Sequence, residues 1–386
     1  MLPFSCLDAV ILPKVCGAGQ VQNFRATGEA HRSMAKVLYG VMGNTFGHVS
    51  RALAIVDRLP EHEFHFVGGG RVPEVLRGLH PVLEVPVART VYKRQRVSVP
   101  GTCGHLARCV ISRPRVRREI LDLIDRWQPD VAICDREFFL PHAARQAGLP
   151  IFSLDHSHVL QVCRYQVPAS EAVSWSLSRL EDFLFFNHTS HNLVTSFFHP
   201  VLKHNGRNEL LPAVLRQAAR EMRPTQGDHV FVYQTTPTFA ALINVVRQLG
   251  RPIIVYGYRN ESAVEGNLTF KPFDQHAILE DLAGSAYAVV NAGHNLICEA
   301  LSLGKPLLCF PIAGTFEQFI NAWYVRQLGY GDFSTGFQPT PALFTNFESR
   351  LTEYRQNIQA GFVDGTEAVT RRVRELIRDY AARKNV

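Results

Sequence analysis

The sequence predicts an α/β protein built from two doubly wound domains that face each other across a cleft. Apolar, β-branched segments alternate with helical patterns in both halves of the chain, which is typical of parallel sheets covered by helices on both faces. The 386 residues are enough for two domains with separate cores. Residues 287–310 give the clearest example, because they read as strand, glycine turn, helix and strand.

The first domain is predicted to span residues 34–200. Its first strand, residues 36–42, is followed by a glycine-containing turn and a helix whose Val49, Leu53 and Val56 face inward. Apolar runs bounded by turn residues predict five further strands at residues 63–68, 82–87, 131–134, 150–154 and 192–198. Helical spacing predicts helices at residues 120–127, 138–146 and 171–185. The glycines at 68–70 indicate a mobile turn, with a ligand contact as the alternative.

The pattern restarts after a turn-rich segment, residues 201–227, which we interpret as the interdomain linker. The second domain, residues 228–343, has predicted strands at 229–234, 253–256, 268–273, 287–290 and 307–310, with helices at 239–249 and 278–282. Residues 344–386 read as C-terminal helices, separated by Gly361 and Gly365. Residues 1–33 lack a basic start and a cleavage box, so we expect an extension or disordered tail rather than a signal peptide, with an arm packed on the surface as the alternative.

Composition and net charge limit the classes of protein to which the chain can belong. Hydrophobic residues make up 46% and charged residues 19%, and no apolar run reaches 18 residues, which fits a soluble protein rather than a membrane-spanning one. Eight scattered cysteines without a CxxC pair predict buried thiols in a reducing compartment. The net charge of +7 favours an anionic partner.

Much of this charge lies in residues 89–118, which contain no acidic residue. The segment reads equally well as a solvated, flexible face or as a patch, residues 94–118, for an anionic membrane or a phosphate-bearing acceptor. Tyr92 is its only aromatic residue, which argues against nucleic acid as a partner.

The turn at residues 291–296 has the features of a phosphate site. Gly293 allows close approach to the backbone, and the first N–H groups of the helix, including those of His294 and Asn295, have no partner within the helix. Glu299, one turn further, suits a ribose diol. Glu317 and Gln318 open the next helix and could hold sugar hydroxyls. Together these residues predict a nucleotide-sugar site.

These residues carry a resemblance to a known family. The segment Asn-Ala-Gly-His-Asn at 291–295, with Glu299, Pro306, Glu317-Gln318 and Asn321-Ala322, resembles the donor motif of GT-B glycosyltransferases. The most similar families are the lipid-linked N-acetylglucosaminyltransferase and the UDP-glucuronosyltransferases. The resemblance departs at Asn291 and Leu296, where the families have His and Ser. It also implies that the turn containing Thr235 lies at the donor and that the backbone of segment 268–273 faces the donor's base. Phe270 is assigned to the donor site, and a place for Phe270 and Phe273 in the core is the alternative.

The first βα loop carries a second resemblance. Gly47, His48 and Arg51 match a Gly-His-x-x-Arg element that lies near the acceptor in GT-B enzymes. His48 also begins a helix at the carboxyl end of a strand, where open α/β sheets bind ligands. Asp135 ends another strand and either orients His48 or caps the following helix. His156 and His158 are expected in an extended segment on one side, and His156 is assigned to the acceptor.

The sequence therefore predicts a glycosyltransferase that transfers a sugar, with inversion, from a UDP-sugar to a small-molecule, lipid-linked or glycan acceptor. His48 would be the general base, because imidazole exchanges protons near neutral pH. No cofactor is expected, and Asp135-Arg136-Glu137 is read as no metal site. The expected location is cytoplasmic, with peripheral attachment to the inner face of the membrane. A UDP-N-acetylglucosamine 2-epimerase-like isomerase and a non-catalytic nucleotide-binding protein remain as alternatives.

Overall fold

A computed structural model gives the fold of residues 34–185, 189–203 and 206–384. The predicted extension, residues 1–33, lies outside these described residues. In chain order, the first half contains β1 (Lys36–Val41), α1 (Phe46–Val56), β2 (Glu63–Val67), α2 (Arg71–Leu76), β3 (Val82–Leu83), β4 (Tyr92–Lys93), β5 (Arg96–Val97), α3 (Val99–Trp127), β6 (Val131–Asp135), α4 (Leu140–Gln146), β7 (Ile151–Asp155), α5 (Val159–Val162), β8 (Cys163–Arg164), α6 (Ala172–Phe185), β9 (His191–Ser196), β10 (Val201–Leu202), β11 (Asn208–Pro212) and α7 (Gln217–Glu221).

The second half contains β12 (Val230–Tyr233), α8 (Ala240–Val246), β13 (Ile253–Tyr256), β14 (Ala263–Glu265), β15 (Leu268–Lys271), α9 (Gln275–Gly284), β16 (Tyr287–Val290), α10 (His294–Ser302), β17 (Leu307–Cys309), α11 (Phe316–Gln327), β18 (Gly331–Phe333), α12 (Pro341–Glu348), α13 (Leu351–Gly361) and α14 (Thr366–Lys384). The alternation of strands and helices in both halves is the one that the sequence predicts.

Two seven-stranded sheets organise the part of the chain that the structure describes. The first has the order β11-β9-β7-β6-β1-β2-β3, and all its neighbouring pairs are parallel. The second has the order β14-β15-β13-β12-β16-β17-β18, and only β14 runs antiparallel. The central strands are mostly apolar because helices cover both faces, and the acidic residues of β6 and β7 lie at the carboxyl ends of these strands. Both first strands, β1 and β12, lie inside their sheets, so the turns that follow them reach the centre of each sheet edge.

The boundary between the two halves differs from the prediction. Residues 208–212, assigned to the linker, form the edge strand β11 of the first sheet. The last helix, α14, returns to this sheet, where Val369, Val373 and Ile377 join the first-domain core. Arg374 of α14 also donates to Glu61 Oε1 (2.6 Å). The C-terminal helix therefore ties the end of the chain to the first domain.

The basic segment, residues 89–118, is neither a loop nor a uniformly solvated face. Its first part forms the hairpin β4–β5, whose turn residues Arg94 and Gln95 have positive φ angles of 51° and 58°. Gln95 is buried, and its Nε2 donates to the carbonyl oxygen of Phe310 in the second domain (3.1 Å). The N–H of Val97 donates to Ala313 O, and the N–H of Ala313 donates to Gln95 O, both at 3.0 Å. The hairpin therefore joins the two domains, and the rest of the segment begins the long helix α3.

The glycine turns near the cleft are closely packed rather than open. A Cβ atom on Gly43 would lie 1.7 Å from the carbonyl oxygen of Gly69, and one on Gly69 would lie 2.0 Å from that of Val85. Three chain segments approach so closely here that only glycine fits. The turn at residues 68–70 thus has a packing role that the sequence did not indicate.

No helix among the described residues is long and apolar enough to cross a membrane. The six cysteines in this part of the chain are free thiols, and all but Cys103 are buried.

We expect Gly43→Ala to destabilise the fold, because the added methyl group meets backbone rather than a flexible side chain. Overpacking of this kind costs about 1–3 kcal/mol or more. Gly78→Ala is the matched control, since a Cβ there has no neighbour within 4 Å. Thermal unfolding should show a clear loss of melting temperature for Gly43→Ala alone; equal values for the two variants would contradict the packing argument.

Candidate active site

A cavity of about 730 Å³ lies between the two sheets, at the carboxyl ends of their central parallel strands. The first domain contributes the loop after β1, the ends of β6 and β7, and the inner face of α6; the second contributes the turn after β12 and the starts of α10 and α11. Most of the predicted site residues line this cavity, specifically Gly47, His48, Arg51, His156, Thr235, Gly293, His294, Asn295, Glu299, Glu317 and Gln318.

Asp135 is the centre of the first-domain side. Its carboxylate is fully buried and lies 2.7 Å from His48 Nδ1 through Oδ1. Asp135 ends β6, and His48 lies just after β1. Because β6 and β1 are adjacent in the sheet, these two residues are in contact although they are 87 positions apart in the chain. Arg51 Nη2 also lies 3.1 Å from Nδ1, but the shorter contact is with the carboxylate, which can only accept, so we assign the proton to His48 Nδ1 and leave Nε2 unprotonated. His48 is 20% exposed and lines the cavity.

Arg51 lines the cavity and is paired with Asp135. Its guanidinium is 3% exposed and donates to both oxygens of Asp135, through Nε at 2.9 Å and Nη2 at 2.7 Å. Burial alone would lower the pKa of Arg51, but Asp135 raises it above its ordinary value. Arg51 Nη1 also lies 3.4 Å from Asn295 Oδ1 across the cleft. Arg51 is therefore mainly a partner of Asp135, and its predicted contact with an acceptor stays a prediction.

Gly47 lies where the two domains come closest. A Cβ atom at this position would lie 2.1 Å from Nδ2 of Asn295, at the start of α10. The absent side chain of Gly47 thus admits the second-domain helix beside α1, and its predicted contact with an acceptor stays a prediction.

His156 and His158 lie in a turn after β7, not in an extended segment, and they contact different groups. His156 is buried, with Nδ1 2.8 Å from Thr195 O and Nε2 2.8 Å from Asn321 Oδ1. Its ring stacks on His294 with centroids 3.7 Å apart. Burial lowers the pKa of both rings. His158 instead pairs with Asp155, at 2.5 Å. His156 therefore joins the two domains, and His158 is outside the cavity lining.

The start of α10 has the geometry predicted for a phosphate site. Asn291 fixes the turn, because its Oδ1 accepts from the N–H of Thr235 (2.8 Å) and its Nδ2 donates to Phe310 O (3.0 Å). Ala292 follows with a positive φ of 62°. The first helical hydrogen bond runs from Ile297 N–H to Gly293 O (3.1 Å). The N–H groups of residues 294–296 precede it, at the cavity wall.

Glu299 lines the cavity but has a partner that the sequence did not predict. Arg216 donates through Nε to Oε1 (2.6 Å) and through Nη2 to Oε2 (3.3 Å). Burial raises the pKa of Glu299, and Arg216 opposes this effect. Arg216 lies just before α7, so a residue from the segment assigned to the linker shapes the site.

Of the remaining residues predicted to bind the donor, Glu317 and Gln318 line the cavity and Phe270 does not. Glu317 accepts from the hydroxyl of Ser157 in the first domain, and Gln318 Oε1 accepts from the N–H of Ile312 (2.9 Å), which fixes the loop before α11. Phe270 is in the core rather than at the cavity, because its ring is 1% exposed and packs beside Tyr258. Phe273, two residues beyond the strand, lines the cavity instead.

The Asp135-Arg136-Glu137 segment does not converge on one point. Arg136 has a positive φ of 53°, and Glu137 turns back to accept from the N–H groups of Phe139 (2.8 Å) and Leu140 (2.5 Å). Glu137, not Asp135, thus occupies the role of helix cap. No group of three or more His, Cys, Asp or Glu residues suited to a metal ion occurs in residues 34–185, 189–203 and 206–384.

Comparisons with known proteins agree with this geometry. The model of the family described as glycosyl transferase family 1 matches residues 35–351. An uncharacterized glycosyltransferase of Methanosarcina acetivorans is 24% identical over 329 residues, covering 77% of this chain and 82% of the relative. One of Methanosarcina mazei is 22% identical over 405 residues, covering 90% and 99%.

Solved structures share the fold. Os79 from O. sativa, in complex with U2F and trichothecene, has a TM-score of 0.67 at 15% identity, covering 89% of this chain and 100% of that one. MurG of Acinetobacter baumannii has a TM-score of 0.55 at 15% identity, covering 89% and 99%. The predicted two-domain GT-B fold and the resemblance to its glycosyltransferases are confirmed.

Glu137 gives the site region a pH-dependent stability. Burial raises its pKa from 4.5 to about 7, although backbone N–H groups act in the opposite direction. The folded state therefore binds this proton more tightly than the unfolded state, and the free energy of unfolding falls as pH rises from 4.5 to 7. Glu137→Gln removes the titration, so its stability relative to the parent should rise over this window by on the order of 3 kcal/mol.

Urea unfolding at several pH values between 4.5 and 8 measures this difference. Glu119→Gln on α3, whose side chain is 41% exposed, is the control and should show no such trend. A difference between Glu137→Gln and the parent that does not change with pH would refute the assignment.

Proposed function

The chain belongs to glycosyl transferase family 1, and we propose that this glycosyltransferase moves a sugar from a UDP-sugar in the second domain to a hydroxyl group of an acceptor in the first. One observation carries the proposal: the buried Asp135 holds the imidazole of His48 at the cavity that the start of α10 also lines. A base and an anion site then share one cavity. A structure of Os79 that contains UDP supports the choice of nucleotide.

In this mechanism His48 Nε2 takes the proton of the acceptor hydroxyl as its oxygen attacks the anomeric carbon of the donor. Asp135 keeps Nδ1 protonated and stabilises the imidazolium that forms. The bond from the anomeric carbon to the diphosphate breaks, and the leaving oxygen gains negative charge. The N–H groups at the start of α10 would stabilise this charge. A single displacement inverts the anomeric carbon.

Glu299 is proposed as the ribose ligand although it is already paired. A carboxylate has about four acceptor positions, and Arg216 uses one on each oxygen. The others can accept the two ribose hydroxyls. Arg216 would then hold the carboxylate in place rather than compete for it. Glu317 and Gln318 remain proposed ligands of the donor sugar.

The prediction of membrane attachment concerns helix α3. Helix α3 exposes Val110 and Ile111 among its arginines, a combination that favours association with an anionic membrane. Attachment at residues 94–118, a cytoplasmic location and a lipid-linked acceptor stay predictions.

Calorimetric titration with UDP tests the donor site. The parent protein should bind UDP, and Glu299→Ala should weaken binding about 10- to 100-fold, as expected when a hydrogen bond to a charged group is lost. Glu221→Gln on the exposed face of α7 serves as control. Unchanged UDP affinity in Glu299→Ala, with the fold intact by circular dichroism, would remove this residue from the site. Conversion of UDP-N-acetylglucosamine without any acceptor would favour the isomerase alternative.

Replacement of His48 tests the mechanism. A general base contributes typically 10²–10⁴-fold, so His48→Ala should lower kcat by that factor while UDP affinity persists. His276→Ala, at an exposed position on α9, should leave kcat unchanged. If His48→Ala retains more than about a tenth of the parent kcat, the residue is not the base.

A further inference from the structure

Helix α6 forms one wall of the first-domain side of the cavity, and its inner face is polar. Ser178, Glu181 and Asp182 line the cavity from this helix. Their spacing of three and four residues places them on one face. None of the predicted site residues lies on α6, and the predicted donor residues belong to the second domain, where Glu317 alone is described beside the α6 carboxylates. The α6 face therefore belongs to the space left for the acceptor.

Asp182 has one oxygen without a partner. Arg136, at the end of β6, donates through Nη1 to Asp182 Oδ1 (2.6 Å), and its Nη2 lies 3.8 Å from Glu181 Oε1. Asp182 is 3% exposed, yet its Oδ2 has no hydrogen-bond partner. A buried carboxylate oxygen without a donor destabilises the protein, because the oxygen loses its hydrogen bonds to water and forms none with the protein. A ligand that donates a hydrogen bond to this oxygen would remove that cost.

Acidic groups outnumber basic ones around this space. Glu317 approaches from the second domain, held by Ser157, and joins Glu181 and Asp182. Facing these three carboxylates are Arg136, whose side chain is partly buried, and Arg89, which is exposed at the rim. Burial raises the pKa of Asp182 and of Glu181, and Arg136 opposes this effect in both. An anionic acceptor would meet repulsion here, whereas hydroxyl and ammonium groups would find acceptors for their protons.

We infer that the acceptor is a sugar-like polyol, neutral or amine-bearing, whose hydroxyl or amino groups donate to Asp182 and Glu181 while another hydroxyl reaches His48. This inference rests on the proposed function and names its acceptor class. Vicinal hydroxyls match this wall because each can donate to a carboxylate and accept from Arg136 or Ser178. A planar phenol offers one hydroxyl, needed at His48, and leaves the buried Asp182 oxygen unpaired.

An acceptor panel tests the class. The full-length protein is incubated with UDP-glucose, UDP-galactose or UDP-N-acetylglucosamine and with one of three kinds of probe. The probes are neutral and amino sugars (methyl glucoside, methyl galactoside, methyl mannoside, methyl glucosaminide), anionic sugars (methyl glucuronide, glucose 6-phosphate) and a planar phenol (2-naphthol). Mass spectrometry detects the products. We expect products with neutral or amino sugars and little or none with the other two kinds.

Two variants test the proposed contacts of Asp182 and Glu181 with the acceptor. Asp182→Asn and Glu181→Gln should each raise the KM for the sugar acceptor about 10- to 100-fold, the loss expected for a hydrogen bond to a charged group, with UDP affinity unchanged. Glu181 is half exposed, so its variant should fold even if Asp182→Asn does not. Glu171→Gln, just before α6 and outside the cavity lining, is the matched control and should leave the acceptor KM unchanged.

The outcomes separate this inference from the function on which it rests. If UDP binds but only 2-naphthol or the anionic sugars are glycosylated, or no sugar is, the acceptor class is wrong while the donor site stands. An unchanged acceptor KM in both variants likewise overturns it. Failure of UDP to bind the parent protein overturns the proposed function, and the inference with it.

Discussion

The buried carboxylate of Asp135 is the interaction on which the site depends. It has no exposed surface, so its charge is tolerated only because Arg51 donates to both oxygens and His48 approaches one of them. His48 and Arg51 lie three residues apart on one face of α1, which lets both reach the same group. The same carboxylate thus balances a buried guanidinium and orients an imidazole, and the two tasks cannot be changed independently.

The contact between the domains is built from residues that also line the cavity. The absent side chain of Gly47 admits Asn295, the ring of His156 stacks on His294, and Ser157 donates to Glu317. The hairpin β4–β5 adds a backbone bridge at Ala313. Because the groups that hold the domains together are the groups that surround the ligand space, the relative position of the domains and the geometry of the site are coupled.

Sequence reasoning found the elements that depend on local pattern. The two sheets follow from apolar runs alternating with helical spacing, and the position of His48 and Asp135 follows from the rule that ligands bind at the carboxyl ends of parallel strands. Sequence reasoning failed where a site residue has a hydrogen-bond partner that is distant in the chain. Arg216 and Glu299 are 83 residues apart, and no local feature of Arg216 distinguishes it from other arginines. The misplacement of Phe270 was avoidable, since β15 alternates buried and half-buried residues and Phe270 falls on the buried side.

The two sides of the cavity differ in electrostatic character, and this difference has a structural origin. On the second-domain side the start of α10, held by Asn291, presents N–H groups of residues 294–296 toward the cavity, beside the charged side chains of Arg216, Glu299 and Glu317. On the first-domain side the charge comes from carboxylates of α6 and from Arg136, which pairs with Asp182. A site arranged in this way can hold a polyanion against backbone on one wall and a hydroxylated molecule against carboxylates on the other. His48 lies on the first-domain wall beside Asp135, which is where a base must be if it is to act on the acceptor rather than on the donor.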